Sequence, residues 1–151
     1  MRVNPAYVEA LKSIVKESPY PSHMAMVLDH IDIDKADVII TLAEYHLQPY
    51  GIVHGGVVAT AIDTATFWAA FIRLPEGVGL VNVDLKLNYL QSVVDGRLIA
   101  RGSCMRHGRS ISYAQASVFD DNQNLIAHGT STLMALPGKA MNLGINKFLD
   151  G

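Results

Sequence analysis

The chain has 151 residues, of which 50% are hydrophobic and 17% are charged, a composition typical of one globular domain with a substantial core. A formal net charge of −2 and a pI of about 6.3 give no electrostatic footprint for nucleic acid or an anionic membrane. The single cysteine, Cys104, excludes an internal disulfide.

The N-terminal sequence MRVNPAYVEALKSIVKESP lacks the continuous apolar core and the small-residue cleavage site of a signal peptide. The longest uncharged stretch also falls short of the roughly 20 apolar residues that a membrane span needs. We therefore expect a cytoplasmic protein that has neither a membrane nor nucleic acid as its partner.

In chain order, the first expected element is an amphipathic helix over about residues 5–17. Apolar side chains recur there at helical spacing, Asn4 suits the N-cap, and Pro5 suits the first helical position. The sequence SPYPS then ends the helix. A β-hairpin is predicted next, because two segments rich in β-branched residues, MVLDHIDID and ADVIITLAEY, flank a turn at Asp34 and Lys35.

A long helix is predicted over residues 57–72, directly after Gly55 and Gly56. This window contains five alanines and neither glycine nor proline, and it is too long for an ordinary strand. Four strands follow, separated by turn signals: LVNVDLKLNYL, RLIARGSCM, SISYAQASVF and LIAHGTSTLMAL. The first of these strands alternates, with one face formed by Val81, Val83, Leu85, Leu87 and Tyr89 and the other by Asn82, Asp84, Lys86 and Asn88.

This order of elements predicts a single α+β domain over residues 1–151. Short turns between the strands imply an antiparallel sheet, and that sheet must cover the long helix. The last residues, about 137–151, are expected to form a loosely held tail. Because the helix is apolar over most of its surface, one sheet face cannot bury all of it, so we expect the chain to self-associate.

Asp63 is the one carboxylate in the middle of this apolar helix. Between Glu44 and Arg73, leaving the histidines aside, no other side chain is acidic or basic. No Lys or Arg therefore lies three or four positions away to pair with Asp63. The residues alone leave two interpretations open, a functional carboxylate or a structural hydrogen-bonding group.

Gly55 and Gly56 leave backbone N–H groups open at the helix start, which is a site for developing negative charge. The sequence has no dinucleotide or phosphate loop, no HExxH or cysteine pair for a metal, and no GxSxG elbow. We therefore expect no metal and no resident cofactor. A carboxylate with an oxyanion donor is the minimum for water-mediated acyl transfer.

The spacing of these two groups favours a site shared between chains. Asp63 lies eight residues after Gly55, which is roughly 12 Å along one helix. Both groups must lie about 3 Å from the reacting atoms, a condition that one chain cannot easily meet. Two helices that run antiparallel across a two-fold axis can meet it. We expect a homodimer as the minimal unit and a dimer of dimers, a homotetramer, as the assembly.

The stretch HGGVVATAIDTA, preceded by QPYGIV and followed by VNVDLKLNYL and HGRSISYAQASVFDDNQNLIAHGTSTL, resembles the hotdog-fold acyl-CoA thioesterases. The PaaI-like branch, with its phenylacetate-pathway and 4-hydroxybenzoyl-CoA-type enzymes, is the most similar. The resemblance covers about residues 20–136. It implies a hotdog fold, an antiparallel sheet wrapped around a long central helix, and the hydrolysis of an acyl- or aromatic-acyl-CoA to free acid and CoA.

The resemblance also implies four catalytic positions. Asp63 matches the acidic residue that activates water or attacks the thioester carbonyl, and Gly55 matches the glycine whose N–H polarises that carbonyl. Gln48 matches a Gln or Asn that helps to hold the substrate or nucleophile. His54 matches a histidine that shapes the loop and contacts the thioester.

Substrate-binding positions follow from the same resemblance. Asn82 lies where some relatives place a polar residue near the attacking water, and the loop around Arg109 lies where the family meets the pantetheine or phosphates of coenzyme A. Phe67 stands where several relatives keep Ser or Thr, and with Trp68 and Phe71 it suggests an apolar pocket. The expected substrate-binding residues are Gly56, Phe67, Asn82, Gly108, Arg109 and Ser110.

Simpler interpretations of these residues stay open. Gln48 can cap the turn before Pro49, His54 can be a packed loop residue, Asn82 can face solvent, and Arg109 can be a surface charge. Two other functions also stay open. A hotdog-fold hydratase or dehydratase requires a histidine paired with an acid, and a non-catalytic module would bind acyl-CoA without turnover.

Overall fold

The computed structural model describes residues 1–150. Its helices are α1 (Pro5–Glu17), α2 (Pro19–His23) and α3 (Gly55–Phe71). Its strands are β1 (Arg2–Val3), β2 (Met26–Asp32), β3 (Lys35–Thr41), β4 (Val78–Tyr89), β5 (Arg97–Arg106), β6 (Ile111–Phe119), β7 (Leu125–Pro137) and β8 (Phe148–Leu149). The predicted N-terminal helix, hairpin, long helix and four later strands are all confirmed.

Six strands form one antiparallel sheet in the order β2-β3-β5-β6-β7-β4, and α3 packs across one face of it. The α+β class and the wrapping of an antiparallel sheet around a central helix are therefore confirmed. No helix within residues 1–150 is long and apolar enough to span a membrane.

Two glycines in the sheet let α3 approach it closely. A Cβ on Gly102 of β5 would lie 2.4 Å from the Ala65 carbonyl oxygen, and a Cβ on Gly129 of β7 would lie 3.0 Å from Ile62. The buried Thr66 and Ser131 hydroxyls then join the helix to β7 through a 2.7 Å hydrogen bond. This close packing fixes the position of the helix, and with it the position of Asp63 one turn earlier.

A β-bulge at Val83 changes which side chains of β4 face the helix. The register between β4 and β7 skips Val83 between Asn82 and Asp84. Asn82 therefore points toward α3, on the same side as Leu85 and Leu87, which pack against the core. The alternation in the sequence places Asn82 opposite those leucines, and that part of the prediction is wrong because an extra residue reverses the alternation.

Both chain ends differ from the sequence-based expectation. The segment SPYPS ends α1 but also begins the short α2, since Pro19 occupies a first-turn position where proline is tolerated. The C-terminal tail is not loosely held, because β8 pairs with β1 and the buried Lys147 Nζ donates to the Leu74 carbonyl at 2.7 Å. Lys147 anchors the tail although it is a charged residue, which a sequence-based prediction places in solvent. Because the anchor is 7% exposed in the structure, the composition of the tail was misleading.

Candidate active site

The start of α3 is built by a histidine cap. His54 is the N-cap residue, and the Gly56 N–H donates to its Nδ1 at 2.8 Å. Nδ1 is thus an acceptor, so a neutral His54 carries its proton on Nε2. A Cβ on Gly56 would lie 2.9 Å from Nδ1, which explains why glycine stands at this position. The Gly56 N–H is consequently occupied by the cap.

The neighbouring Gly55 N–H donates to no acceptor among residues 1–150. Above the same residue lies Tyr89, at the end of β4, whose hydroxyl donates to the Gly55 carbonyl at 3.0 Å. A Cβ on Gly55 would lie 3.0 Å from the Tyr89 ring, so glycine is needed here for the tyrosine to pack. The first turn of α3 therefore presents one free N–H, held by contacts on both sides.

Gln48 lies on the loop that leads into α3 and lines a cavity together with Gly55, Val58 and Tyr89. Its side-chain oxygen accepts from the Tyr50 N–H, as expected for a residue that caps the turn at Pro49. Because that bond identifies the oxygen end of the Gln48 amide, the side-chain NH₂ of Gln48 is the end that remains free to donate. Gln48 thus both caps the turn and offers an amide donor beside the helix start.

Asp63 lies two turns further along α3 and is held by Asn82. The Asn82 Nδ2 donates to Asp63 Oδ1 at 2.8 Å and to the Asp63 carbonyl at 3.1 Å. Within the described residues, Asp63 has no ion-pair partner and its second carboxylate oxygen accepts no hydrogen bond. One oxygen is therefore fixed while the other remains available.

The electrostatic setting of Asp63 favours a stronger base than an ordinary aspartate. Burial raises the pKa of its carboxyl, and the hydrogen bond from Asn82 opposes part of this shift. Since a base becomes more effective as its pKa approaches the working pH, the apolar helix tunes Asp63 in the useful direction.

The partly exposed side of α3 forms a narrow stripe, which contains Gly56, Ala59, Thr60, Asp63, Thr64 and Phe67. Trp68 and Phe71 are 7% and 3% exposed in the core, and their ring centroids lie 4.8 and 5.9 Å from that of Phe67. The three aromatic side chains thus form one apolar cluster at the C-terminal end of α3, in which Phe67 is the partly exposed member. An apolar substrate pocket built on this cluster stays a prediction.

Gly108, Arg109 and Ser110 lie in the β5–β6 turn, at the opposite end of α3 from Gly55. Strand β5 crosses the helix at Gly102, and five residues later His107 lies near enough to Arg73, just beyond α3, for their charges to interact. Arg109 is exposed. One chain thus brings Asp63 and Asn82 together but keeps this turn apart from the helix start.

Two tyrosines beside the site were missed by sequence reasoning. Tyr89 packs on Gly55, and the Tyr20 hydroxyl of α2 makes a 2.6 Å hydrogen bond with the Thr60 hydroxyl on the partly exposed stripe. The sequence gives Tyr89 as one residue on the apolar face of an alternating strand and Tyr20 as part of a helix stop. Neither position carries a spacing signal that could have revealed the contact.

These groups suit attack on an activated carbonyl. A free N–H at a helix start can hold developing negative charge on oxygen, and a carboxylate with one free oxygen can activate water or attack carbon. No group of three or more His, Cys, Asp or Glu side chains within residues 1–150 has the arrangement of a metal site.

Comparisons with known proteins agree with this chemistry. A curated candidate esterase from Haemophilus influenzae is 26% identical over 115 residues, which cover 76% of this chain and 83% of the relative. A thioesterase family protein from Silicibacter pomeroyi is 27% identical, with a TM-score of 0.79 over 87% of this chain and 99% of that one.

Two further solved structures share the fold. A Haemophilus influenzae thioesterase has a TM-score of 0.80 at 24% identity, over 87% of this chain and 91% of its own. The Escherichia coli PaaI protein from the phenylacetic acid degradation operon has a TM-score of 0.78 at 16% identity, over 87% and 94% of the two chains.

The family profile described as the thioesterase superfamily matches residues 50–127, more than half of the chain. The matched region contains Gly55, Asp63, Asn82 and Arg109. This chain therefore belongs to the thioesterase superfamily and is a thioester hydrolase with the hotdog fold.

Proposed function

We propose that this protein is an acyl-CoA thioesterase that hydrolyses the thioester of an acyl- or aromatic-acyl-CoA to free acid and CoA. The substrate carbonyl oxygen accepts the Gly55 N–H. Asp63 acts as general base on water, or as a nucleophile at the carbonyl carbon. The carbon–sulfur bond then breaks, water supplies the new oxygen of the acid, and the sulfur leaves as the CoA thiol.

The observation that carries this proposal is the state of Asp63. Its carboxyl lies on a helix without a cationic partner, and Asn82 holds one oxygen while the other is free. Burial of an unpaired carboxylate is costly for folding, so a purely structural role would favour an uncharged residue here. A reactive role accounts for the charge.

The active site is completed by a second subunit. Gly55 and Asp63 are eight residues apart on one helix, roughly 12 Å, which is too far for both to contact one thioester. The edge strand β4 is 12 residues long, with Val81 and Val83 38% and 50% exposed, and such an edge is a template for pairing with another chain. Antiparallel pairing of two β4 edges sets two α3 helices antiparallel and brings Gly55 of one beside Asp63 of the other.

The same arrangement provides for the coenzyme A moiety. In one chain the Gly108–Ser110 turn lies at the opposite end of α3 from Gly55, so antiparallel helices place the turn of one subunit near the thioester site of the other. Arg109 there can bind phosphate through its planar donor fork. The minimal active unit is a homodimer, with a dimer of dimers as the larger assembly.

Release of the CoA thiol from a panel of aromatic, short, medium and long acyl-CoAs tests the proposal. Wild-type protein should release thiol from at least one of them. Asp63→Asn should keep its fold and oligomeric state and lose most of the rate, whereas Asp29→Asn, the same charge change at an exposed aspartate, should retain it.

The other candidate functions predict different results in this assay. Acyl-CoA binding without thiol release would indicate a binding module, and addition of water to an enoyl-CoA would indicate a hydratase. Hydratase chemistry has little support, since His54 Nδ1 is occupied by the Gly56 N–H. Wild-type rates in Asp63→Asn would remove Asp63 from the mechanism.

A further inference from the structure

A cavity of about 470 Å³ lies away from Asp63, where the C-terminal segment crosses the end of α3. Tyr7 of α1, Phe71 at the end of α3 and residues 140–147 line it. The family profile ends at residue 127, so the C-terminal wall of the cavity lies outside the matched region. The thioesterase site described above uses none of these residues.

Lys147 supplies a buried positive charge to this cavity. The side chain is 7% exposed, and its Nζ donates to the Leu74 carbonyl at 2.7 Å and lies 5.0 Å from the centre of the Phe71 ring. An ammonium has three N–H donors, so the Leu74 bond leaves two for a ligand in the cavity that Lys147 lines. Burial lowers the pKa of this ammonium, and the nearby Glu76 carboxylate offsets part of that shift.

Tyr7 supplies a second donor. It is 4% exposed, and its hydroxyl makes no hydrogen bond with any residue from 1 to 150. Within that range, every side-chain nitrogen or oxygen that is fully buried has a hydrogen-bond partner. Since the Tyr7 hydroxyl has none, this oxygen is not fully buried and must border open space. The cavity is the open space that Tyr7 lines. Burial and the Glu76 carboxylate raise the pKa of the phenol, which keeps its proton available for donation.

We propose that this cavity binds the carboxylate of a small organic acid, with Lys147 Nζ and the Tyr7 hydroxyl as donors. Lys147 is the one cation among the described lining residues, and the exposed Glu76 at the rim already interacts with it, so a monoanion is favoured over a phosphate dianion. Phe71, Val78 and Leu143 provide apolar contacts for the body of the acid. The inference does not depend on the proposed function, although the acid released by thioester hydrolysis belongs to the same chemical class.

Calorimetric titration with benzoate and hexanoate tests this inference, with benzamide and hexanamide as uncharged controls of the same shape. At least one acid should bind saturably, and its amide should bind at least about tenfold more weakly. Lys147→Met should weaken acid binding about tenfold or more, and Tyr7→Phe a few-fold. Lys139→Met, at an exposed lysine of the same segment, should have no effect.

Two further measurements separate this site from the thioesterase site and from loss of folding. Saturating CoA should leave acid binding unchanged, and amide resonances of residues 141–147 should shift in wild-type protein while those of residues 55–63 do not. The NMR result stands even if Lys147→Met fails to fold. No saturable binding up to about 10 mM, equal binding of acid and amide, or loss of binding with CoA would overturn the inference.

Discussion

Asn82 Nδ2 lies 2.8 Å from Asp63 Oδ1, and the bulge at Val83 is what turns Asn82 toward the helix. Without the extra residue, the alternation of β4 would direct the asparagine to solvent and leave the carboxylate without a partner. The hydrogen bond orients the carboxyl and stabilises its charged form. A local irregularity of one strand thus supports the reactive group of another element.

Asn82→Ala should move the acidic limb of the pH profile of kcat/KM to higher pH. The Asn82 hydrogen bond lowers the pKa of Asp63 and burial raises it, so removal of the hydrogen bond leaves burial unopposed and the pKa rises further. Because the carboxylate is the active form, activity is lost as pH falls through that pKa. Asn88→Ala, at an exposed position of the same strand, is the control, and a profile shift shared by both variants would contradict this role.

Asp63→Asn should be more stable than wild type at neutral pH. The folded-state pKa is raised above the unfolded one, so the folded state binds protons more tightly and stability falls as pH rises between the two values. An uncharged amide avoids that loss and can still accept from Asn82. Urea unfolding should show a higher unfolding free energy for Asp63→Asn than for wild type at pH 7, and the difference should shrink toward acidic pH. If the two proteins are equally stable at both pH values, the charge carries no cost and the prediction is contradicted.

Two substitutions should separate the role of His54 as a helix cap from its role as a substrate contact. His54→Ala removes the acceptor for the Gly56 N–H and should cost about 0.5–2 kcal/mol of unfolding free energy. His54→Asn keeps a good N-cap residue and should recover most of that loss. If the imidazole also contacts the thioester, thiol release stays low in both variants. Full activity in His54→Asn would limit the residue to the cap.

The Gly55 N–H can be removed by proline, which is tolerated at the first position of a helix. His54 has the extended backbone that the residue before proline prefers, with φ −62° and ψ 136°. The proline ring would clash with Tyr89, so the proline variant and its alanine control both carry Tyr89→Ala as well. Gly55→Pro should be slower than Gly55→Ala by a factor of about 10²–10³, because alanine keeps the N–H. Equal thiol-release rates would exclude this donor.

The order of elements could be predicted from the sequence because each signal is local. Asn4 and Pro5 begin α1, and the Asp34–Lys35 turn divides the hairpin, as the structure confirms. The bulge at Val83 could not be predicted, since no residue type there marks an unpaired position. Binding of the tail could not be predicted either, because it depends on Lys147 finding the Leu74 carbonyl across the fold.

The site itself was predictable in part. Asp63 stands out as a lone carboxylate in an apolar helix, and Gly55 as a glycine at the helix start. Tyr89 and Tyr20 could not be found, because their contacts join segments that are far apart in the sequence. The burial of Trp68 beneath Phe67 could not be predicted, because aromatic composition does not reveal which side of a helix faces the core.

The composite site is tested most directly by mixing two inactive variants. One subunit carries Asp63→Asn, and the other carries Tyr89→Ala with Gly55→Pro. When they are refolded together in equal amounts, a quarter of all sites combine an intact Gly55 from one subunit with an intact Asp63 from the other. Thiol release should therefore recover to about one quarter of the wild-type rate. A rate no higher than the average of the two parents would place both groups in one chain and contradict the shared site.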